Sequence, residues 1–247
     1  MQKIILQTKN LSKNFGKRTA VQNLNLNIYK GDIFGFLGPN GAGKSTTIRM
    51  IIGLISPSDG EVIINNKKYH HRNKNIRQKI RVLIEEPKFY EYMSALENMK
   101  ILAQLSGIKN TSNIENCLKL VNLYSRRYDK VHSFSQGMKQ RLGIAQTLLG
   151  NPELIILDEP TNGLDPQGIR EIRELILNLN KRKNITFIIS SHILQEIENC
   201  CNRLAILKEG NLLVQGDIHK LLKGKSLEEY FISLTDTLTK KENKNIL

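Results

Sequence analysis

The stretch GPNGAGKST, at residues 38–46, has residue types and a spacing suited to binding a phosphate chain. It follows an apolar run and precedes a helical pattern, so the loop would join a strand to a helix. Glycines permit backbone conformations in which successive N–H groups converge on a phosphate, and the helix dipole adds to the attraction. We therefore expect Lys44 to reach the β- and γ-phosphates of a nucleotide and Ser45 to ligate Mg²⁺. The other loop residues expected at the nucleotide are Gly38, Pro39, Asn40, Gly41, Ala42, Gly43 and Thr46.

Two adjacent acids follow a second apolar run, in the stretch ELIILDEP. The run predicts a buried strand, whose carboxyl end lies where ligands bind in open α/β sheets. Asp158 is expected to hold Mg²⁺, and Glu159 is expected to act as general base on an attacking water. Two acids at a strand end are a weak signal alone, but the phosphate loop upstream makes them a strong one.

The hydrophobic pattern around these motifs predicts an α/β fold that can position them. Residues 3–30 alternate apolar runs with polar turns, which is typical of antiparallel strands. From residue 33 onward, apolar runs alternate with helical patterns, as in a mainly parallel sheet with both faces covered. Residues 86–150 are predicted to form a helical lobe inserted in that sheet. The main domain is predicted to span residues 1–215, followed by short helices and a tail at 216–247.

Length, charge and hydropathy narrow the class of protein. The 247 residues suffice for one large α/β domain, and the net charge is +14. The dense basic stretch at 65–79 is interpreted as a solvated loop, and only 6% of residues are aromatic, so we expect no nucleic-acid partner. No apolar run approaches the roughly 18 residues of a membrane span, and no secretory signal is recognisable. A cytosolic protein is expected, with any membrane role exercised through a partner.

A third motif, VHSFSQGMKQR, lies within the expected helical lobe. Ser135 precedes a good helical pattern and fits an N-cap, and a serine hydroxyl with free N–H groups at a helix start suits an anion. The stretch resembles the signature motif of ATP-binding cassette (ABC) ATPases, which is usually Leu-Ser-Gly-Gly-Gln. The resemblance implies that two cassettes dimerise head to tail, so that Ser135 and Gly137 face the γ-phosphate held by the partner's phosphate loop.

The resemblance covers essentially the whole chain and implies roles for further residues. Phe15 matches the aromatic residue that stacks on adenine, although it is equally compatible with a core position. Asp165, in GLDP, matches the loop at the dimer contact. His192, in IISSH, matches the histidine that touches the γ-phosphate and steadies the attacking water. Met138 stands where the family usually has glutamine, and it cannot make the polar contact of that glutamine. A signature motif with this methionine is similar to those of cassettes that serve drug and peptide exporters.

Glu85 marks a second departure from the family pattern. The resemblance places a glutamine here, which contacts Mg²⁺ and the attacking water, whereas this chain has Glu85-Glu86-Pro87. A carboxylate is a harder oxygen ligand than an amide and can still bind Mg²⁺, but it repels the γ-phosphate when no metal intervenes. Either acid could take the role, and a solvated turn is the simpler alternative. A glutamate at this position is similar to the cassettes of lantibiotic self-immunity exporters, with bacitracin-resistance cassettes as the nearest alternative.

The resemblance implies an ATP-hydrolysing subunit of an exporter that protects its cell from a lantibiotic or a similar peptide antibiotic. The implied partners are a second copy of the chain and one or two integral membrane permeases, at the cytoplasmic face of a Gram-positive membrane. Segment 86–100 is the expected permease contact, although core packing would also explain its apolar residues. The alternatives are a bacitracin-type or multidrug exporter, a soluble ABC ATPase acting on ribosomes or DNA, and a P-loop kinase.

Overall fold

The computed structural model describes residues 2–69, 78–108 and 113–234. Most of the dense basic stretch and the C-terminal tail, at 70–77 and 235–247, lie outside the described residues, so the expectations for them stay predictions. The strands are β1 (Ile4–Phe15), β2 (Arg18–Tyr29), β3 (Ile33–Leu37), β4 (Asp59–Ile64), β5 (Lys67–Lys68), β6 (Ile80–Leu83), β7 (Leu154–Asp158), β8 (Thr186–Ser191), β9 (Arg203–Lys208) and β10 (Asn211–Asp217). The helices are α1 (Lys44–Ile51), α2 (Ala95–Leu105), α3 (Ile114–Leu120), α4 (Gln136–Thr147), α5 (Pro166–Lys183), α6 (Leu194–Cys200) and α7 (Ile218–Leu222).

Two sheets build the domain. The N-terminal sheet has the order β2-β1-β4-β5 and is antiparallel, as the alternation over residues 3–30 predicts. The larger sheet has the order β10-β9-β3-β8-β7-β6. All of its neighbouring strands pair in parallel except β9 and β10. The predicted α/β class, with a mainly parallel sheet and an antiparallel subdomain, is confirmed.

The larger sheet separates two hydrophobic cores, because successive side chains of a strand point to opposite faces. In β3, Ile33 and Leu37 join the core shared with the helical lobe and α5. Phe34 and Phe36 join the core shared with α1 and the antiparallel sheet. The sheet is thus buried on both faces, and β3 holds the phosphate loop rigidly at its centre.

The helical lobe lies between β6 and β7 in the chain and contains α2, α3 and α4, together with short 3₁₀ turns at Tyr124–Arg126 and Val131–Ser133. Helix α2 begins at a capping box, in which Ser94 Oγ accepts a hydrogen bond from the N–H of Glu97 and the Glu97 carboxylate accepts one from the N–H of Ser94. These helices fall within the expected range of 86–150.

The residues after β9 pair with the larger sheet and pack against its core. Strand β10 runs to Asp217, which is past residue 215, and pattern reading missed this strand. Ile218, Leu222 and Leu227 are buried in the same core as the helical lobe. The division of the chain at residue 215 stays a prediction. Among the described residues, no helix combines the length and the apolar character needed to span a bilayer.

Candidate nucleotide-binding and catalytic site

The phosphate loop joins β3 to the start of α1, as its sequence context predicts. Gly43 has a left-handed φ of 100°, and a Cβ atom there would lie 2.7 Å from the carbonyl oxygen of Ala20, so a side chain does not fit. The buried side chain of Lys44 folds over the loop, where Nζ donates hydrogen bonds to the carbonyl oxygens of Gly38 (2.7 Å) and Pro39 (3.3 Å). The ammonium group is thereby held at the mouth of the loop.

A cleft of about 310 Å³ lies beside this loop. Its lining residues are Phe15, Arg18, Ala20, Asn40, Gly41, Ala42, Gly43, Lys44, Ser45, Thr46 and Glu159. The Phe15 ring is 51% exposed, with Lys13 Nζ 5.1 Å from its centroid. An exposed aromatic face next to a phosphate loop suits a stacked base. The cleft can therefore accept a nucleotide with its base at Phe15 and its phosphates at the loop.

Asp158 and Glu159 stand at the end of β7, and one buried serine positions both. Ser190 lies opposite Asp158 on β8. Its hydroxyl donates a hydrogen bond to Asp158 Oδ1 and accepts one of 2.9 Å from the N–H of Glu159. Glu159 adopts a left-handed φ of 48°, which costs a non-glycine residue roughly 1 kcal/mol. The carboxylate of Glu159 reaches to within 3.7 Å of Lys44 Nζ.

His192 follows β8 directly and contacts the same carboxylate. Its Nδ1 atom lies 3.2 Å from Glu159 Oε1, the oxygen that also faces Lys44. The His192 side chain is 41% exposed. The fold thus brings together the ammonium group of Lys44, the carboxylate of Glu159 and the imidazole of His192. Lys44 and His192 are more than 140 positions apart in the chain. This grouping can orient and deprotonate a water at the end of a phosphate chain.

A second cleft, of about 280 Å³, adjoins the first and contains the candidate metal ligands. It is lined by Ser45, Arg49, Glu85, Glu86, Gln140, Asp158, Glu159 and Asn162. Mg²⁺ usually binds one or two protein carboxylates and takes its other ligands from water and substrate phosphates. Within the described ranges, no group of three or more His, Cys, Asp and Glu side chains is arranged to hold a metal. Ser45 and Asp158, which line one cleft beside the phosphate loop, are oxygen donors of the kind that Mg²⁺ takes from a protein, so they fit this ion.

Glu85 lines the second cleft but lies beyond the strand. Strand β6 ends at Leu83, one residue before the last apolar residue of this run, Ile84. Glu85 has a left-handed φ of 60°, and its side chain is 74% exposed. Its Oε1 atom lies 3.1 Å from Nη2 of Arg49, on α1. The fold therefore places this acid in the same cleft as Ser45 and Asp158 and pairs it with a cation.

The signature residues occupy the N-terminus of α4. Ser135 is exposed and caps the helix, as predicted, by accepting a hydrogen bond from the N–H of Met138 (3.2 Å). A Cβ atom on Gly137 would meet only Ser135 Oγ, at 4.0 Å, so the space beside it is open. Met138 packs against the core of the lobe. Ser135 and Gly137 line neither cleft of their own chain.

Asp165 caps α5 through a hydrogen bond from the N–H of Gly168 to its Oδ1 atom (2.9 Å). A Cβ atom on Gly168 would lie 2.8 Å from that oxygen. The Asp165 carboxylate therefore accepts a hydrogen bond within its own chain, and it lines neither cleft. Its expected place at a dimer contact stays a prediction.

Pattern reading missed four residues that line the two clefts, namely Arg18, Arg49, Gln140 and Asn162. It also missed Ser190, which lines neither cleft but hydrogen-bonds to Asp158 and Glu159. Arg49 had a detectable signal, since it lies four positions after Ser45 and thus on the same face of α1. Ser190 also had one, because it is a polar residue near the end of an otherwise apolar strand, next in the sheet to the strand that delivers the acids.

Comparison with known proteins agrees with this geometry. The family profile described as "ABC transporter" matches residues 21–162. The bacitracin transport ATP-binding protein BcrA of Bacillus licheniformis is 49% identical over 209 residues, which cover 85% of this chain and 68% of that protein. The lantibiotic transport ATP-binding protein SrtF of Streptococcus pyogenes is 42% identical over 227 residues, covering 92% and 96%.

Solved structures share the fold. CbiO1 of Clostridium perfringens, part of an ABC transporter complex, superposes with a TM-score of 0.82 at 29% identity and covers 92% of this chain and 93% of that one. A dimeric ATP-binding cassette in a post-hydrolysis state, bound to ADP and Pi, superposes with a TM-score of 0.75 at 29% identity, covering 87% and 99%.

The fold and the paired clefts define a P-loop ATPase of the ATP-binding cassette type. The chain belongs to the ABC transporter family and is an ATP-binding, ATP-hydrolysing subunit of such a transporter. The resemblance expected from its motifs is thus confirmed.

Proposed function

We propose that this subunit powers an exporter that protects its cell from a lantibiotic or a similar peptide antibiotic. The observation that carries the proposal is the 42% identity to a lantibiotic transport ATP-binding protein over 96% of that protein's length. Glu85 in the second cleft adds support, because a glutamate at this position resembles lantibiotic self-immunity cassettes.

Bacitracin export is the second candidate. The bacitracin transport protein is more similar at matched positions, with 49% identity, but the match covers only 68% of its length. Cargo specificity in such transporters generally lies in membrane subunits, so the two candidates differ in the permeases that this chain would serve.

In the proposed cycle, ATP binds between two copies of the chain. Lys44 and the loop N–H groups hold the phosphates, Phe15 stacks on the base, and the partner's Ser135 and Gly137 close over the γ-phosphate. Bound Mg²⁺ supplies charge neutralisation at the phosphates, with Ser45, Asp158 and Glu85 as its proposed protein ligands. Glu159 accepts a proton from the attacking water, while His192 orients that water. Exposure of Ser135 and the open space beside Gly137 support this arrangement.

The proposed membrane partners are one or two permease subunits, which would hold the chain at the cytoplasmic face of a Gram-positive membrane. Tyr90 and Tyr92, within segment 86–100, are 50% and 70% exposed, with ring centroids 6.1 Å apart. The same segment bonds to the start of the signature motif, because the N–H of Val131 donates to Met93 and the N–H of His132 donates to Glu91. A permease contact at these tyrosines would therefore be linked to Ser135 through Val131 and His132, which lie three to four residues before it.

Deletion of the gene in its host, followed by susceptibility tests against a panel of lantibiotics and bacitracin, tests the proposal. Increased lantibiotic sensitivity, restored by the wild-type gene but not by Glu159→Gln, is the expected result. Increased sensitivity to bacitracin alone would select the second candidate. Unchanged susceptibility to the whole panel would refute a protective role against these antibiotics.

A further inference from the structure

Glu196, on α6, contacts neither cleft but connects the two loops that carry Glu159 and His192. Its Oε2 atom accepts a hydrogen bond of 2.7 Å from the hydroxyl of Thr161 and one of 2.8 Å from the hydroxyl of Ser191. Thr161 lies two positions after Glu159, and Ser191 immediately precedes His192. One carboxylate oxygen therefore joins the loop after β7 to the last residue of β8, which immediately precedes His192.

Thr161 and Ser191 are each hydrogen-bonded in turn to neighbouring backbone groups. Ser191 Oγ accepts a hydrogen bond of 2.9 Å from the N–H of Ile193, so the serine spans the turn that contains His192. On the other side, the N–H of Leu164 donates to the carbonyl of Thr161, and the N–H of Asn162 donates to the carbonyl of Glu159. A displacement of Glu196 would thus be transmitted to both turns.

The other carboxylate oxygen, Glu196 Oε1, is buried and has no hydrogen-bond partner among the described residues. A buried carboxylate oxygen without a hydrogen-bond partner lowers the free energy of unfolding, so Glu196 destabilises the fold through this oxygen. Stability alone does not explain it, because a smaller polar side chain would avoid that cost. Maintaining the separation of Glu159 and His192, whose atoms lie 3.2 Å apart, does explain it.

We propose that Glu196 is a positioning residue for ATP hydrolysis, which fixes the geometry between Glu159 and His192 by joining Thr161 to Ser191. The inference rests on the proposed roles of Glu159 and His192. A misplacement of about 1 Å in a catalytic group can lower a rate about a hundredfold without removing any group that touches the substrate. Loss of Glu196 should therefore act on turnover and leave nucleotide binding in place.

The test compares Glu196→Ala, Glu196→Gln and Thr161→Val in the full chain, with kcat and KM for Mg-ATP and the pH profile of kcat as readouts. Glu196→Ala should lower kcat by about tenfold to a hundredfold with KM nearly unchanged, and should change the pH profile. Glu196→Gln should retain most of kcat, since one amide oxygen can accept both hydrogen bonds. Thr161→Val keeps the side-chain shape, removes one of the two bonds and should lose part of kcat, which keeps the test usable if Glu196→Ala does not fold.

Glu198 provides a matched control, because it lies on the same helix and its Oε2 accepts a hydrogen bond from the N–H of Leu227 instead. Glu198→Ala should lower stability and leave kcat unchanged. Wild-type kcat in folded Glu196→Ala and in Thr161→Val would overturn the inference, as would equal losses of kcat in Glu196→Ala and Glu198→Ala. Glu159→Gln is measured in parallel. If Glu159→Gln retains turnover, the proposed role of Glu159 is refuted. If Glu159→Gln is inactive but Glu196→Ala has wild-type kcat, only the positioning role of Glu196 is refuted.

Discussion

Arg49 and Glu85 form an ion pair at the cleft that contains Ser45 and Asp158, with Arg49 Nη2 3.1 Å from Glu85 Oε1. Both side chains are substantially exposed, 44% and 74%, so the pair itself adds only about 0–1 kcal/mol to stability. Its importance is positional. The Glu85 carboxylate lines the same cleft as the candidate metal ligands, and the guanidinium charge of Arg49 offsets part of the repulsion between Glu85 and a bound phosphate.

Replacing Glu85 with glutamine should preserve ATPase activity at saturating Mg²⁺ but raise the Mg²⁺ concentration needed for half-maximal activity. An amide oxygen is a weaker ligand for a hard cation than a carboxylate, and changes around a metal typically alter its affinity about tenfold or more. The measurement is a Mg²⁺ titration of ATPase activity, with Glu86→Gln as the matched control from the same cleft. If the titration and antibiotic protection both match wild type, Glu85 has no special role; if only Glu86→Gln shifts the titration, the role belongs to Glu86.

Ser94→Ala should lower the free energy of unfolding by about 1 kcal/mol. The Ser94 hydroxyl caps α2 by accepting a hydrogen bond of 3.2 Å from the N–H of Glu97, and alanine leaves that N–H without its side-chain acceptor. Denaturant unfolding measures the change. Ser106→Ala, at the other end of α2, should leave stability unchanged, and an equal loss in both variants would argue against the cap.

Glu97→Gln should destabilise the protein at neutral pH and much less in acid. The Glu97 carboxylate accepts hydrogen bonds from the N–H and the hydroxyl of Ser94, and these bonds hold the pKa of this carboxyl below its ordinary value of 4.5. The stabilisation is therefore present above pH 4.5 and is lost as the pH falls through the lowered pKa of the folded state. Unfolding of both proteins across the acid range checks this, and a stability difference independent of pH would contradict it.

Gly143→Ala should destabilise the protein by about 1–3 kcal/mol, the usual effect of overpacking. A Cβ atom on Gly143 would lie 2.9 Å from Cβ of Pro87, since the signature helix α4 packs directly on the turn that follows Glu85. Gly137→Ala, on the same helix with open space beside it, is the stability control and should be neutral or slightly stabilising. Equal unfolding free energies for Gly143→Ala and wild type would mean that Pro87 yields without cost.

Local sequence signals sufficed for the elements that carry the motifs. An apolar run followed by glycines predicts β3, the phosphate loop and α1, and a serine before a helical pattern predicts the cap of α4. These features depend on neighbours within a few residues. Strand β10 was missed because its half-buried residues lack a clear alternation, and its place in the sheet is decided by pairing with β9.

The contacts around the candidate site could not be predicted to the same extent, because they join distant parts of the chain. Ser190 reaches Asp158 and Glu159 only because β7 and β8 are neighbours in the sheet. The partner of Glu85 depends on where α1 lies relative to the end of β6, which no pattern in either segment specifies. Residue types thus predict the chemistry, whereas strand order decides which groups meet.

Glu159→Gln should slow ATP hydrolysis by about a hundredfold to ten-thousandfold, the usual contribution of a general base, and should trap a dimer loaded with ATP. The glutamine amide cannot accept the proton of the attacking water. The substitution also removes a negative charge next to the γ-phosphate, and Lys44, Ser45 and the exposed Ser135 are unchanged. Binding therefore continues while turnover stops, and the closed pair of chains should accumulate. Size-exclusion chromatography in saturating Mg-ATP should show the dimer, whereas Lys44→Ala, which weakens the hold on the phosphates, should remain monomeric. A Glu159→Gln protein that stays monomeric with ATP bound would contradict a site shared between two copies.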